Sequence, residues 1–181
     1  MHRSDQILAA IIARARDPAT RTDQADVVRT VVAPPVQVTE VQTVEAALGF
    51  PLPTFLGRVY REVGNGGFGP GYGLIGLPGG FTVEGHSILS RYHLMASIDP
   101  DDPAWAWPRR LLPLCHWGCG IYSCVNAAEP AGPVLTWDPN AHQEGQDPAA
   151  AIRTTNLGLE PWLAAWAAGT DLWATMYPSA Q

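Results

Sequence analysis

Residues 46–77 constrain the fold more than any other stretch, because glycines and prolines fix where its elements can end. Gly49 follows an apolar helical pattern and has no Cβ, so it can end that helix in the left-handed conformation. Pro51 and Pro53 then favour an extended link, and Pro53 suits the first position of a second helix. The apolar residues of this helix recur at steps of three and four until Gly64. The stretch therefore predicts two amphipathic helices joined by a rigid corner.

A glycine-dense loop follows at residues 64–76 and matches the spacing G-x-G-x-x-G twice. In a dinucleotide-binding fold this motif follows a strand and opens a helix, whose N-terminus holds the phosphates. Here a helix precedes the loop and a strand-like segment, residues 74–77, follows it. Because the context is reversed, we interpret the glycines as positive-φ turn positions that return Phe68 and Tyr72 to the core.

Further helices are predicted in the first half of the chain. Residues 4–16 have helical periodicity, with Ser4 or Asp5 as the capping residue. Residues 39–42 have the capping-box pattern that opens the helix ended by Gly49. Residues 86–98 carry another apolar helical face.

Strands are predicted mainly in the second half. Residues 119–125 and 132–137 combine β-branched and aromatic residues between turn signals, and residues 152–155 are a candidate third strand. A closing helix has Pro161 at its first position and Gly169 as its end. Helices first, strands in the middle and a closing helix predict an α+β fold, without βαβ alternation or internal repeats.

The length of 181 residues is typical of one domain. Residues 22–32 fit either a short helix or an extended arm, because their valines have helical spacing but are β-branched. Two prolines follow and mark a boundary. We therefore predict an N-terminal helical extension over residues 1–35 and the main domain over residues 36–181.

The charged residues exclude several kinds of chemistry. All eleven basic residues are arginine, so no lysine is present for a P-loop or a Schiff base. The net charge is -6, and residues 111–181 contain one arginine against six acids. Such a field repels nucleic-acid phosphates and attracts cationic proteins, although acidity also serves solubility alone. We predict no direct binding of nucleic acid.

Cysteine usage bears on the compartment. An odd number of cysteines without a secretory leader is typical of a reducing environment. No apolar run approaches the length that a membrane span needs. These features predict a cytoplasmic protein that does not enter a membrane.

One cluster of cysteine and histidine could carry chemistry. Cys115, His116, Cys119 and Cys124 are zinc-type ligands, but their spacing lacks the C-x₂-C knuckle of structural zinc sites. A thiol nucleophile with His116 or His93 as its base has no local signature. We expect Cys119 and Cys124 to be small buried core residues, and we predict no metal, no cofactor and no catalytic residue.

Three sequence blocks resemble the SUKH superfamily, the Smi/Knr-type proteins. They are residues 48–53 (LGFPLP), 62–69 (EVGNGGFG) and 117–124 (WGCGIYSC), and residues 162–166 are similar to the closing helix of that family. The resemblance spans residues 36–173 and implies a single domain with a mostly antiparallel sheet flanked by helices. Its structural motif falls on Gly49, Pro51, Pro53, Gly66, Gly67, Phe68, Gly69, Trp117, Gly118 and Cys119.

The resemblance implies a protein-binding module without catalytic activity. Bacterial members commonly act as immunity proteins, which are antitoxins that bind and neutralise the toxin domain, often a nuclease, of a polymorphic toxin. Fungal relatives act as regulatory scaffolds, which is the alternative function, and a cysteine- or metal-dependent hydrolase is the third. If a basic toxin binds the acidic region, the expected contacts are Asp99, Asp101, Asp102, Glu129, Asp138, Glu144 and Asp147.

Overall fold

A four-stranded antiparallel sheet forms the centre of the computed structural model, which describes residues 2–26, 30–97, 101–102 and 104–177. The strand order follows the chain, so each strand pairs with the next one. The strands are β1 (Leu111–His116), β2 (Tyr122–Asn126), β3 (Pro133–Trp137) and β4 (Ile152–Gly158). The predicted α+β class, with an antiparallel sheet and an N-terminal helix, is confirmed.

Six α-helices lie within the described residues; the first five pack on the sheet or on one another, and the sixth contributes Leu172 to the buried core. They are α1 (Arg3–Arg16), α2 (Val38–Leu48), α3 (Thr54–Glu62), α4 (Ile88–Ala96), α5 (Leu159–Ala167) and α6 (Leu172–Met176). The helix α4 packs against β1, and α5 packs against β3, β4, α1 and α3. Two 3₁₀ turns, Pro139–Ala141 and Pro148–Ala151, lie between β3 and β4.

The sequence does not predict β1, because Pro113 lies in the middle of its apolar run. Proline lacks the N–H that a ladder needs, and sheets accept it mainly at edges and bulges. Here β1 is an outer strand of the ladder, and its register with β2 shifts between Pro113 and Cys115. The strand predicted at residues 74–77 is not formed, since that segment adds only one bridge, from Leu74 to Cys115.

The turn between β1 and β2 corrects the prediction for Cys119. The strand β2 begins at Tyr122 and not at residue 119. Cys119 has a φ of 52°, lies between two positive-φ glycines and is exposed. A backbone hydrogen bond from Trp117 N–H to the oxygen of Ile121, 2.9 Å long, closes this turn. The expectation that Cys119 is a core residue is therefore wrong, whereas the same expectation for Cys124 is confirmed.

Several helices begin a few residues from their predicted starts. The residue before α1 is His2, and its N–H donates to the carboxylate of Asp5 at 3.2 Å. The capping interaction of α2 lies two residues earlier than predicted, because Gln37 N–H donates to Glu40 at 2.8 Å. The cap of α4 is Ser87, which gives that helix a later start than residue 86. The last predicted residue of α4, Ile98, lies outside the described residues.

Proline positions explain the remaining shifts. Pro53 precedes α3 as its capping residue, and the helix begins at the next position. The closing helix α5 begins at Leu159, so Pro161 is its third residue and not its first. First-turn N–H groups have no intrahelical partner, and proline is tolerated at that position without losing a bond. The N–H of Leu159 instead donates to the oxygen of Gly132, 2.9 Å away, which is a contact that local sequence does not reveal.

Most glycines of the loop have the predicted positive φ, although Gly64 and Gly76 do not. Gly49 ends α2 with a φ of 76°. Gly66 and Gly67 have φ values of 84° and 83°, and Phe68 is fully buried. A Cβ on Gly66 would lie 2.5 Å from the oxygen of Leu74, so this loop packs backbone against backbone. The neighbouring Asn65 is buried, and its Oδ1 accepts the N–H of Leu77 at 2.7 Å, which ties the loop to the following segment.

The N-terminal segment packs against the main domain. In α1 the side chains of Leu8, Ile11 and Ala15 belong to the same buried cluster as the sheet. Thr22 forms a bridge with Gly69, and the described part of residues 22–32 contains no helix. Residues 27–29 of that range lie outside the described residues. The division of the chain at residue 35 stays a prediction.

Candidate functional site

The seven acidic residues predicted to contact a partner fall into three groups. Asp99 lies outside the described residues. Two of the others are buried, and four are exposed. The buried pair is Asp102 and Asp138, each 8% exposed, and the exposed residues are Asp101, Glu129, Glu144 and Asp147.

Residues 138–147 form an acidic loop between β3 and the second 3₁₀ turn. This acidic loop contains three carboxylates and no arginine. Its outer part, residues 143–147, is exposed throughout. Glu144 forms no hydrogen bond or ion pair with the described residues, and Asp147 accepts the N–H of Ala149 at 2.9 Å. The acidic loop therefore presents Glu144 and Asp147 to solvent.

The buried side chain of Asp102 holds the acidic loop through hydrogen bonds. Its carboxylate accepts the N–H groups of Ala104 and Gly145 at 3.2 Å each, and His142 Nε2 lies 3.1 Å from its Oδ2. The hydrogen bond with His142 lowers the pKa of Asp102, and the two backbone N–H groups lower it further, against the effect of burial. The charge of Asp102 is thus used within the protein to hold residues 142–145.

Asp138 holds the other end of the loop. It accepts the hydroxyl of Tyr177 at 2.8 Å and the backbone N–H of Asn140 at 2.9 Å. Burial opposes the charged form, but these hydrogen bonds and the nearby Arg153 outweigh it and lower the pKa of Asp138. The contact with Tyr177 connects the acidic loop to the C-terminal segment.

A group of tryptophans supports the loop. The ring of His142 lies 5.6 Å from that of Trp105 and 5.7 Å from that of Trp137. Trp105 also stacks on Trp107 at 6.1 Å and donates from Nε1 to the oxygen of Met95 at 2.6 Å. Aromatic contacts of this kind restrict the rings, so the base of the acidic loop is fixed while its outer residues remain available.

The three cysteines lie in two different environments. Cys115 and Cys124 are fully buried, and burial raises the pKa of both thiols. Cys119 is exposed, and the nearest histidine in sequence, His116, accepts the N–H of Gly120 at Nε2 over 3.1 Å. Burial lowers the pKa of His116, which favours its neutral form. Within the described part of the chain, no group of three or more His, Cys, Asp or Glu side chains could hold a metal ion.

Comparison with protein families finds a match that ends at the second residue of β4, so it does not include the whole fold. Residues 35–153 match the family model described as the SMI1 / KNR4 family (SUKH-1), and the match covers more than half of the chain. The chain belongs to the SMI1/KNR4 family. The resemblance inferred from the three sequence blocks is confirmed. A search of the curated proteins finds no significant match.

The part that matches the SMI1/KNR4 family contains both the glycine loop and the acidic loop. The helices α1, α5 and α6 lie outside it, including residues 162–166, which resemble the family's closing helix. Among the described helices, none has both the length and the apolar character of a membrane span. The ends of the chain therefore lie outside the matched region in sequence, although they pack on it in space.

No sequence signal marks the residues that shape the acidic loop. Asp102 and His142 are 40 positions apart, and neither belongs to a recognisable motif. Tyr177 is equally distant in sequence from Asp138, at 39 positions. His142 lies between Ala141 and Gln143, so its sequence neighbours do not predict either contact.

Proposed function

We propose that this SMI1/KNR4 protein is a cytosolic immunity protein that binds and neutralises a cognate toxin domain, without chemistry of its own. Family membership supports a binding role, and the sequence blocks resemble bacterial immunity proteins. The observation that carries the proposal is the acidic loop, which exposes Glu144 and Asp147 on a fixed aromatic base. A toxin that acts on nucleic acid needs a basic surface, and such a surface is complementary to this loop.

The primary test is co-expression with the product of the neighbouring gene. We expect growth to be rescued and a stable complex to co-purify. A neighbouring product that is not toxic, or a toxin that is neither bound nor neutralised, would contradict the proposal.

The role of the acidic loop is tested by a pair of charge-matched variants. Glu144→Gln with Asp147→Asn removes two negative charges from the loop, and Gln42→Arg with Ala46→Arg adds two positive charges at exposed positions of α2. The amide oxygen that Asp147→Asn introduces can still accept the N–H of Ala149, as the carboxylate does in the wild type. If the loop steers the partner, the first variant slows association by about tenfold and reduces its salt dependence more than the second does. Equal effects would assign the attraction to net charge and not to the loop.

The regulatory scaffold is the second candidate, because the resemblance extends to Smi/Knr-type scaffolds. It predicts that the partner is a non-toxic endogenous protein. Deletion of the gene would then change growth in cells that contain no toxin, whereas an immunity protein is dispensable there. Growth of the deletion strain with and without the neighbouring gene separates the two functions.

A further inference from the structure

A cavity of about 430 Å³ lies between the N-terminal and C-terminal segments. We call it the terminal cavity, and the residues that matter here are Arg14, Thr22, Asp23, Trp117, Asp171 and Trp173. Of these six residues, only Trp117 lies inside the region that matches the family. The terminal cavity is therefore built mainly by the parts of this chain that the family match does not include.

The aromatic wall of the cavity has one unusually exposed ring. Trp173 is 40% exposed, and its ring lies 5.7 Å from that of Trp117 and 4.8 Å from that of Tyr177. These two neighbours hold the indole in place, while part of its surface remains open. An indole face attracts cations through its quadrupole, and tryptophan does so most strongly among the aromatic side chains.

The charge in the cavity is negative. Arg14 and Asp23 form an ion pair at 3.2 Å, and the second carboxylate oxygen of Asp23 accepts the N–H of Gly71 at 3.1 Å. Asp171 adds a further carboxylate, with one oxygen accepting the N–H of Ala174 at 3.0 Å and the other free of hydrogen bonds to the described residues. Burial raises the pKa of Asp23 and the charge of Asp171 raises it further, so an additional cation would relieve this repulsion.

The cavity also contains a polar group that lacks a partner. Thr22 lines the cavity and is 3% exposed, and its hydroxyl forms no hydrogen bond with the described residues. A buried hydroxyl without a hydrogen bond is unfavourable, and a bound N–H donor would satisfy it. This observation is independent of the carboxylates and points to a ligand that donates hydrogen bonds.

We propose that the terminal cavity binds an arginine side chain of the protein partner. The guanidinium would stack on Trp173, pair with Asp171 and donate to the hydroxyl of Thr22. Arginine fits better than lysine, because its planar group stacks on an indole and offers several donors in one plane. A similar arrangement lies beside the cavity, where the guanidinium of Arg14 lies 4.5 Å from the ring centroid of the buried Trp166 and donates to Asp23. The inference rests on the proposed function only in taking the partner to be a basic protein.

The test uses the full-length protein and three short peptides, acetyl-Gly-X-Gly-amide, in which X is arginine, lysine or citrulline. Citrulline has nearly the shape of arginine without its charge. Binding is followed by the indole N–H resonances of the seven tryptophans, with Trp117 and Trp173 assigned from their Trp→Phe variants. We expect the arginine peptide to shift the resonances of Trp117 and Trp173 and to bind roughly tenfold more tightly than the citrulline peptide.

Two variants of matched design sharpen the test. Asp171 and Asp147 each cap a short helical turn through one carboxylate oxygen, but only Asp171 lines the cavity. Asparagine preserves such caps, so both proteins should fold. Asp171→Asn should weaken binding of the arginine peptide about fivefold, and Asp147→Asn should leave that binding unchanged. Thr22→Val should also weaken binding of the arginine peptide. Well-dispersed NMR resonances would show that this variant is folded.

The proposal is overturned if arginine and citrulline peptides bind alike, if the shifts fall on other tryptophans, or if both asparagine variants behave as the wild type. Equal binding of the lysine peptide would overturn the assignment to arginine. These results are distinguishable from failure of the proposed function. A protein that rescues growth but binds no arginine peptide docks its toxin elsewhere, and a protein that binds the peptide but rescues no growth is not an immunity protein for that toxin.

Discussion

The region that matches the SMI1/KNR4 family and the two ends of the chain are positioned by different kinds of interaction. In the matched region, glycines and buried polar groups fix one backbone segment against another, as Asn65 does for Leu77. The ends consist mainly of helices, and α1 is located mainly by its packing on α5. Ile11 of α1 and Trp166 of α5 are both fully buried. The comparison teaches that the chain ends complete the core, even though they lie outside the matched sequence.

A second consequence concerns where binding surfaces arise. The acidic loop lies inside the matched region, whereas the terminal cavity requires both ends of the chain. Asp138 connects the two, because its carboxylate accepts the hydroxyl of Tyr177, whose ring lies 4.8 Å from that of the lining residue Trp173. A truncation to the matched residues would keep the acidic loop in sequence but remove Tyr177, which is one of the residues that hold it.

The largest expected effect is that of Gly67→Ala. The φ of Gly67 is 83°, and a Cβ there would clash with the backbone oxygen of Val31. The strained backbone and the clash together should lower the free energy of unfolding by about 4 kcal/mol. Gly79 has a similar φ of 86° but open space around it, so Gly79→Ala should cost only about 1–2 kcal/mol. Urea unfolding measures the free energy of unfolding of both variants. Equal losses of stability would show that the close backbone packing around Gly67 adds no cost beyond its positive φ.

Truncation of α1 tests whether the ends belong to the core. Ile11→Ala should lower the free energy of unfolding by about 3 kcal/mol, similar to Leu56→Ala in α3, since both side chains are fully buried. For each variant, fluorescence and circular dichroism should report a single transition with the same midpoint. If Ile11→Ala leaves the main transition unchanged, α1 is an extension that unfolds by itself.

The hydrogen bond between Asp138 and Tyr177 predicts that the free energy of unfolding depends on pH. The pKa of Asp138 is lower in the folded protein than in the unfolded chain, so the unfolded chain binds more protons as the pH falls. The stabilisation is therefore complete above the unfolded pKa of about 3.9 and is lost as the pH falls through the lower folded value. Asp138→Asn should cost about 1 kcal/mol at neutral pH and flatten this acid limb.

Unfolding in urea between neutral and acid pH measures that limb. Glu144→Gln provides the control, because Glu144 has no hydrogen bond or ion pair with the described residues. A limb that is unchanged in Asp138→Asn, or flattened equally in Glu144→Gln, would contradict the role of the bond to Tyr177.

The smallest expected effect is that of the ion pair between α1 and α3. Arg58 Nη2 lies 2.9 Å from Asp5 Oδ1, and this hydrogen bond lowers the pKa of Asp5. The pair is partly exposed to solvent, so Asp5→Asn should destabilise much less than Ile11→Ala, and added salt should remove the difference from wild type. Glu62→Gln removes the other partner of Arg58, within α3, and serves as the comparison. A loss that persists in high salt would indicate a more specific role in holding α1.

The sequence predicts best the places where a single residue type decides the backbone. Gly49 and the glycines around Phe68 are predicted to have positive φ, and they do, because side chains disfavour that conformation whatever the surroundings. The family is likewise recognisable from three short blocks. By contrast, β1 is missed because Pro113 is acceptable only when the strand is an outer one with a bulge.

The candidate site is less predictable than the fold. The sequence does not distinguish among the seven acidic residues. In the structure, Asp102 and Asp138 are buried and form internal hydrogen bonds, while Glu144 and Asp147 remain exposed. Cys119 and Cys124 likewise look equivalent in sequence. The turn that follows β1 exposes the thiol of Cys119, whereas the thiol of Cys124 is buried.

The sequence by itself determined the α+β class, the family and the conformations that demand glycine, because these depend on local sterics and on the periodicity of apolar residues. Only the tertiary structure decided which charges are free and how the two ends of the chain meet to form the terminal cavity. The physical reason is that burial and hydrogen bonding depend on residues far apart in the chain, and nothing in the local sequence fixes which of them come together.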